Sequence, residues 1–193
     1  ARIRVVEPSD LAERIRADQT ALHAQIRTIL AAEEVIRDRT TIAISPALQA
    51  DEFDDTSAAA LESLTGQQRG VIARARQLAA QFGDLAERIR ANALKLDDLS
   101  AGVPVTAREL IEVADGPMAA ANSHLVQAAQ APASGRGEAA TRALASESEA
   151  IARLTRLLES AGELRDLPDV VRKLRELLDR QEALARAGAE IAK

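Results

Sequence analysis

The sequence predicts an all-α protein: an elongated antiparallel helical bundle or coiled coil of about five helices, preceded by a short extended segment. Three observations carry this. From Leu61 to Leu96, every third and fourth residue forms one series: Leu61, Leu64, Gln68, Val71, Ala75, Leu78, Phe82, Leu85, Ile89, Asn92, Leu96. Eight of these are large and apolar and one is alanine, so a long helix here carries a continuous apolar seam that other helices must cover. The 193 residues include no Trp, Tyr or Cys and only Phe53 and Phe82 as aromatics, so core volume must come from Leu, Ile, Val and Ala. Alanine- and charge-rich sequence with heptad spacing is the composition of helical rods.

We divide the chain into an extended linker or terminal strand over 1–9 and a helical region over 10–193. Ala1 to Val6 alternates and is β-branched, which fits a strand of a preceding domain or an unstructured tail. The first helix is expected over 10–44. Asp10 would be its N-cap with Glu13 completing a capping box, and Leu11, Ile15, Leu22, Ile26, Ile29 and Ile36 would form its seam. Asp18, Gln19 and Glu33 interrupt that seam, and Ser45-Pro46 should end the helix.

The second helix, expected over 57–98, is the one described above. Over Ser57 to Asp97 it would be roughly 60 Å long at about 1.5 Å per residue. Its Gly66 and Gly70, four apart, either allow a close helix approach or mark a weak stretch. A turn over Leu99–Val105 should lead to a third helix over 106–130. Thr106 and Glu109 would form its capping box, Val105 and Leu110 a hydrophobic staple, and Leu110, Ala114, Met118, Ala121, Leu125 and Ala128 its seam. Pro117 should kink this helix, since the seam keeps its phase across it. After the Ala131–Gly137 loop, a fourth helix over 137–162 would bury Ala140, Leu144, Glu147, Ile151, Leu154, Leu158 and Ala161, with Gly162 at its end. A fifth, over 168–193, starts at Pro168 with a seam through Val170, Leu174, Leu177, Gln181, Leu184 and Ile191. Helices four and five form a hairpin or one kinked helix, and we favour the kink. Ala1 stands in strand-like sequence and Lys193 inside a helical pattern, so we expect the natural chain to continue at both ends.

The net charge is −5, and Asp51-Glu52-Phe53-Asp54-Asp55 holds four negative charges. No face is strongly basic, which argues against nucleic acid and anionic membrane as main partners. Of the 25 basic residues only Lys95, Lys173 and Lys193 are lysines, and the arginines do not cluster. No apolar run approaches the roughly 18 residues of a membrane span. Asp51, Asp54 and Asp55 do not match a calcium loop, because Phe53 takes the third position and Thr56 the sixth, where glycine is required. His23 and His124 lack a second ligand one turn away and read as surface residues. Gln68, Asn92, Glu147 and Gln181 are polar residues on seams. They either fix register or leave the seams wet. Glu147 has no sequence neighbour to make it an acid–base catalyst, since such a site needs a second placed group. We therefore expect no catalytic, cofactor-binding or metal residues and no cofactor.

The order Arg-Ile-Arg-Val-Val-Glu-Pro-Ser-Asp-Leu, followed by long Arg/Ala/Leu helices and by Leu-Arg-Glu-Leu-Leu-Asp-Arg-Gln-Glu-Ala-Leu-Ala-Arg, resembles the helical regions of large membrane-anchored bacterial envelope proteins. The resemblance implies coiled coils following β domains, an envelope location, and no functional residue that can be carried over. The resulting expectation is a non-catalytic structural spacer or interaction module whose partners are proteins or other domains of the same chain. The alternative is a helical sensor with a ligand pocket at the Pro117 kink, bordered by Met118, Gln68 and Asn92.

Overall fold

The computed structural model describes residues 7–50, 55–92, 96–132 and 135–160. The protein is all-α, with no strand among the described residues. In chain order come α1 (Pro8–Ala50), α2 (Asp55–Ala91), α3 (Asp97–Val113), a π-helical turn (Ala114–Met118), α4 (Ala119–Gln130) and α5 (residues 135–160). Backbone contacts divide the chain into two units, Ala1–Leu158 and Glu159–Lys193, and among the described residues the first holds every helix except the last two residues of α5. The expected N-terminal strand, Asp51 and Asp54 of the acidic run, Gly162, Gln181 and the helix over 168–193 lie outside the described residues.

The α2 seam is buried as its spacing requires: Leu61, Leu64, Gln68, Val71, Ala75, Leu78, Phe82, Leu85 and Ile89 all lie in the core. Ile72 and Ala79 widen the buried stripe, and α1, α3 and α4 all pack on it. α1 and α2 run antiparallel, because successive residues of α1 meet progressively earlier residues of α2. Asp18 pairs with Arg88 at 2.8 Å, His23 stacks on Phe82 with ring centroids 5.5 Å apart, and Glu33 bonds Gln68 at 2.7 Å. The third seam, Leu110, Ala114, Met118, Ala121, Leu125 and Ala128, is buried in full. In α5 the buried face is Ala139, Ala140, Ala143, Glu147, Ala150, Leu154 and Leu157, while Leu144, Ile151 and Leu158 flank it.

Several boundaries differ from the sequence expectation. α1 starts at Pro8, where the missing N–H costs nothing, so Asp10 sits in the first turn rather than at the cap. α1 also runs through Ser45-Pro46 to Ala50. Pro46 deprives the Ile42 carbonyl of its donor, but Ile42 is 71% exposed, so water can serve that carbonyl. The expected turn over Leu99–Val105 is helical, since α3 starts at Asp97 and contains Pro104. The carbonyl that Pro104 orphans belongs to Ser100, which is also exposed. Thr106 is therefore no cap. It is buried mid-helix, and its hydroxyl donates to the Gly102 carbonyl at 3.1 Å.

Pro117 is buried, and so is Val113, so water is not available to the orphaned carbonyl there. The backbone instead widens to a π turn, which takes its donor one residue beyond the proline. Helical structure thus continues across Pro117 without a break. α2 ends at Ala91, short of residue 98, and Asn92 follows it. Its backbone N–H and its side-chain Nδ2 both donate to the Arg88 carbonyl, at 3.3 and 2.7 Å. Leu96 is nonetheless buried, so the apolar spacing continues past the end of the helix. α5 is already helical at residue 135, before the expected 137, and Arg136 Nε donates to the Ala131 carbonyl at 2.8 Å.

A Cβ added at Gly66, Gly70 or Gly83 meets nothing within 4 Å, so no helix approaches closely there. One denaturation series checks both features of α2. Phe82→Ala should lose about 3–5 kcal/mol, as expected for a buried aromatic. Gly70→Ala should gain about 0.5–1 kcal/mol, because helix propensity rises with no steric cost.

Candidate functional site

Among the described residues, a group of polar side chains meets deep in the core. Glu33 and Thr40 lie two turns apart on α1, Gln68 lies on the α2 seam, and Glu147 lies on the inner face of α5. All four are 0% exposed. Gln68 Nε2 donates to Glu33 Oε1 at 2.7 Å, and the Thr40 hydroxyl donates to Glu147 Oε1 at 3.0 Å. The remaining carboxylate oxygens, Glu33 Oε2 and Glu147 Oε2, are buried without a hydrogen-bond partner, as is Gln68 Oε1.

Burial pushes the Glu33 carboxyl up to about 7, against the Gln68 bond, with repulsion from Glu147 adding to the rise. Burial likewise raises Glu147 to about 7, opposed by its bond to Thr40 and by the Arg37 charge. Arg37 lies on α1 between Glu33 and Thr40 and is itself held by Asp38 at 2.9 Å. With no solvent access, the cluster can hold protons and fix register, but it presents no group to a substrate.

Of the polar seam residues that the sequence singles out, the structure brings Gln68 and Glu147 into this cluster. It places Asn92 exposed at the end of α2, which removes it from any seam role, while Gln181 is outside the described residues. Glu33 reads in the sequence as an interruption of the α1 seam, and Thr40 is the member that sequence reasoning misses. It falls on the same spacing as Ile26, Ile29 and Ile36, and that spacing is the signal for it. The histidines are half-buried rather than surface residues: His23 stacks on Phe82, and His124 Nδ1 is buried without a partner. Among the described residues, no three acidic or histidine side chains are placed to hold a metal ion, and no helix is long and apolar enough to cross a membrane.

Grooves lie on the surface between the helices. One, of about 560 Å³, runs between α2 and α4 over Ala58, Glu62, Gly66, Arg69, Val126 and Ala129. Another, of about 280 Å³, lies between α1 and α2 beside the Asp18–Arg88 pair. Neither is bordered by Met118, Gln68 or Asn92. Met118 and Gln68 are instead fully buried. Comparison with family models, curated proteins and solved structures finds no match.

Thr40→Val should destabilise the protein by about 1–3 kcal/mol at neutral pH, because it removes the hydroxyl that donates to the buried Glu147 carboxyl. The half-exposed Asp18–Arg88 pair should be worth under about 1 kcal/mol when Arg88 is replaced by alanine. Urea denaturation of both variants checks the contrast.

Proposed function

We propose that this chain is a non-catalytic helical module that docks or spaces parts of a larger protein assembly. The observation that carries the reading is on α1. Val35 and Ile42, seven residues apart, are 47% and 71% exposed, while Ile26, Ile29, Ile36 and Ile44 on the same helix are buried. The helix therefore bears a second, outward apolar row beside its core seam, with Asp38 between the two residues. A row at heptad spacing suits an external helix. The resemblance to helical regions of envelope proteins supports the same reading and suggests the cell envelope as its location. The partner would be a protein or another domain of the same chain.

A second reading, a helical sensor, is favoured by the groove between α2 and α4, whose volume of about 560 Å³ suits a small ligand. Its small wall residues, Ala58, Gly66 and Ala129, give a ligand little polar purchase beyond Glu62 and Arg69 at the sides.

The two readings separate by site-specific photo-crosslinking in the full-length protein in cells. A photoreactive side chain at Asp38 should give a discrete crosslinked product, and Ile42→Asp should abolish it while leaving the melting temperature unchanged. A probe at Asp38 that gives no product above background would overturn the docking reading. A probe at Ala59 that captures a small molecule would favour the sensor.

A further inference from the structure

The bond between Gln68 and Glu33 leaves two atoms over. Gln68 Nε2 donates to Glu33 Oε1, and the other atom of each group, Gln68 Oε1 and Glu33 Oε2, is a buried acceptor with no donor. Two acceptors cannot satisfy one another, and an orphaned buried polar atom is costly. One proton on Glu33 Oε2 resolves both at once, because the acid becomes a donor to the amide oxygen and each group then gives and takes one hydrogen bond. We propose that Glu33 and Gln68 form a proton-binding site, a carboxylic acid–amide pair, whose occupancy governs the seating of α5 on α1.

The link to α5 is Glu147. The groups that act on the Glu33 proton are Gln68 from α2, which is neutral, and the Glu147 carboxyl from α5. Glu147 in turn feels Thr40 and Arg37 from α1. When Glu33 loses its proton, a negative charge is left in the core near a second buried carboxyl on the neighbouring helix. Repulsion then falls across the contact that the Thr40–Glu147 bond closes, which is one of the points where α5 is tied down. Arg153 of α5 to Glu112 of α3, at 3.1 Å, is an exposed second tie that does not depend on this proton.

Both carboxyls have folded-state values raised from 4.5 to about 7. Their stabilisation is therefore complete below about pH 4.5 and is lost as the pH rises through about 7, the reverse of an ordinary paired carboxylate. Within that window the folding constant should fall by up to about tenfold per pH unit for each proton held.

The test compares wild type, Glu33→Gln and Glu147→Gln by urea denaturation from pH 5 to 8.5. Glu33→Gln supplies the amide donor permanently, so it should remove the Glu33 share of the pH dependence and exceed wild type in stability at pH 8, while Glu147→Gln should remove only the other share. Infrared difference spectra should show protonated carboxylic acid in folded wild type at pH 6, and a weaker band in Glu33→Gln, where Glu147 alone holds a proton. Hydrogen exchange, corrected for intrinsic rates, should show residues 139–157 losing protection between pH 6 and 8 ahead of α2. Wild-type stability that stays level from pH 5 to 8, or folded protein without the protonated-acid band at pH 6, would overturn the proposal. So would calcium chloride raising the wild-type melting temperature at pH 8 in a way that Glu33→Gln abolishes, since the atoms would then be holding a cation.

Discussion

The apolar seam of α2, buried from Leu61 to Ile89, has to be covered by other helices. A helix of 37 residues with buried positions from Leu61 to Ile89 cannot cover that seam itself. Its stability in water has to come from packing, since helix propensity alone is too weak. α1 lies against it in the opposite direction, and α3 and α4 take another part of its buried stripe. The core accordingly draws on small residues: Ala75, Ala79, Ala114, Ala121, Ala128, Ala140, Ala143 and Ala150 are buried alongside the leucines and isoleucines, with Phe82 the one phenylalanine among them.

Such a core is repetitive, and repetition makes register ambiguous. An α1 shifted by one heptad along α2 would still put isoleucine on leucine or alanine. The polar cluster removes that freedom. A slip of seven residues would carry Glu33 away from Gln68 to face Leu61 or Ala75, leaving a carboxyl buried with no donor. A lone polar pair costs stability compared with an apolar one, but its loss in the wrong register costs more. The same residues can thus serve two ends: they select one alignment of α1, α2 and α5, and they tie that alignment to protonation.

How much of this is legible in the sequence follows from what each feature depends on. The seams of α2 and of the α3–α4 stretch depend on spacing alone, and each position named for them from Leu61 to Ile89 and from Leu110 to Ala128 is buried. Helix ends depend on more. Proline and capping rules place breaks at Pro46 and before Thr106, yet the chain passes helically through Pro46, Pro104 and Pro117. The outcome turns on whether the orphaned carbonyl reaches water, as beside the exposed Ile42 and Ser100, or must be re-partnered, as at the buried Val113. Exposure of a single carbonyl is a tertiary fact. The cluster is half legible. Gln68 and Glu147 stand out as polar residues on seams and Glu33 as an interruption of one, whereas Thr40 does not, because its partner Glu147 lies 107 residues away.

The central claim is that α2 is the element the others are assembled on, and native-state hydrogen exchange at residue resolution tests it most directly. At neutral pH the amides of α2 between Leu61 and Ile89 should be the slowest in the protein and should open only with global unfolding, with α1, α3, α4 and α5 opening at lower free energy. If α2 instead exchanges as fast as the other helices, or opens while α1 stays protected, the seam is not what holds the structure together.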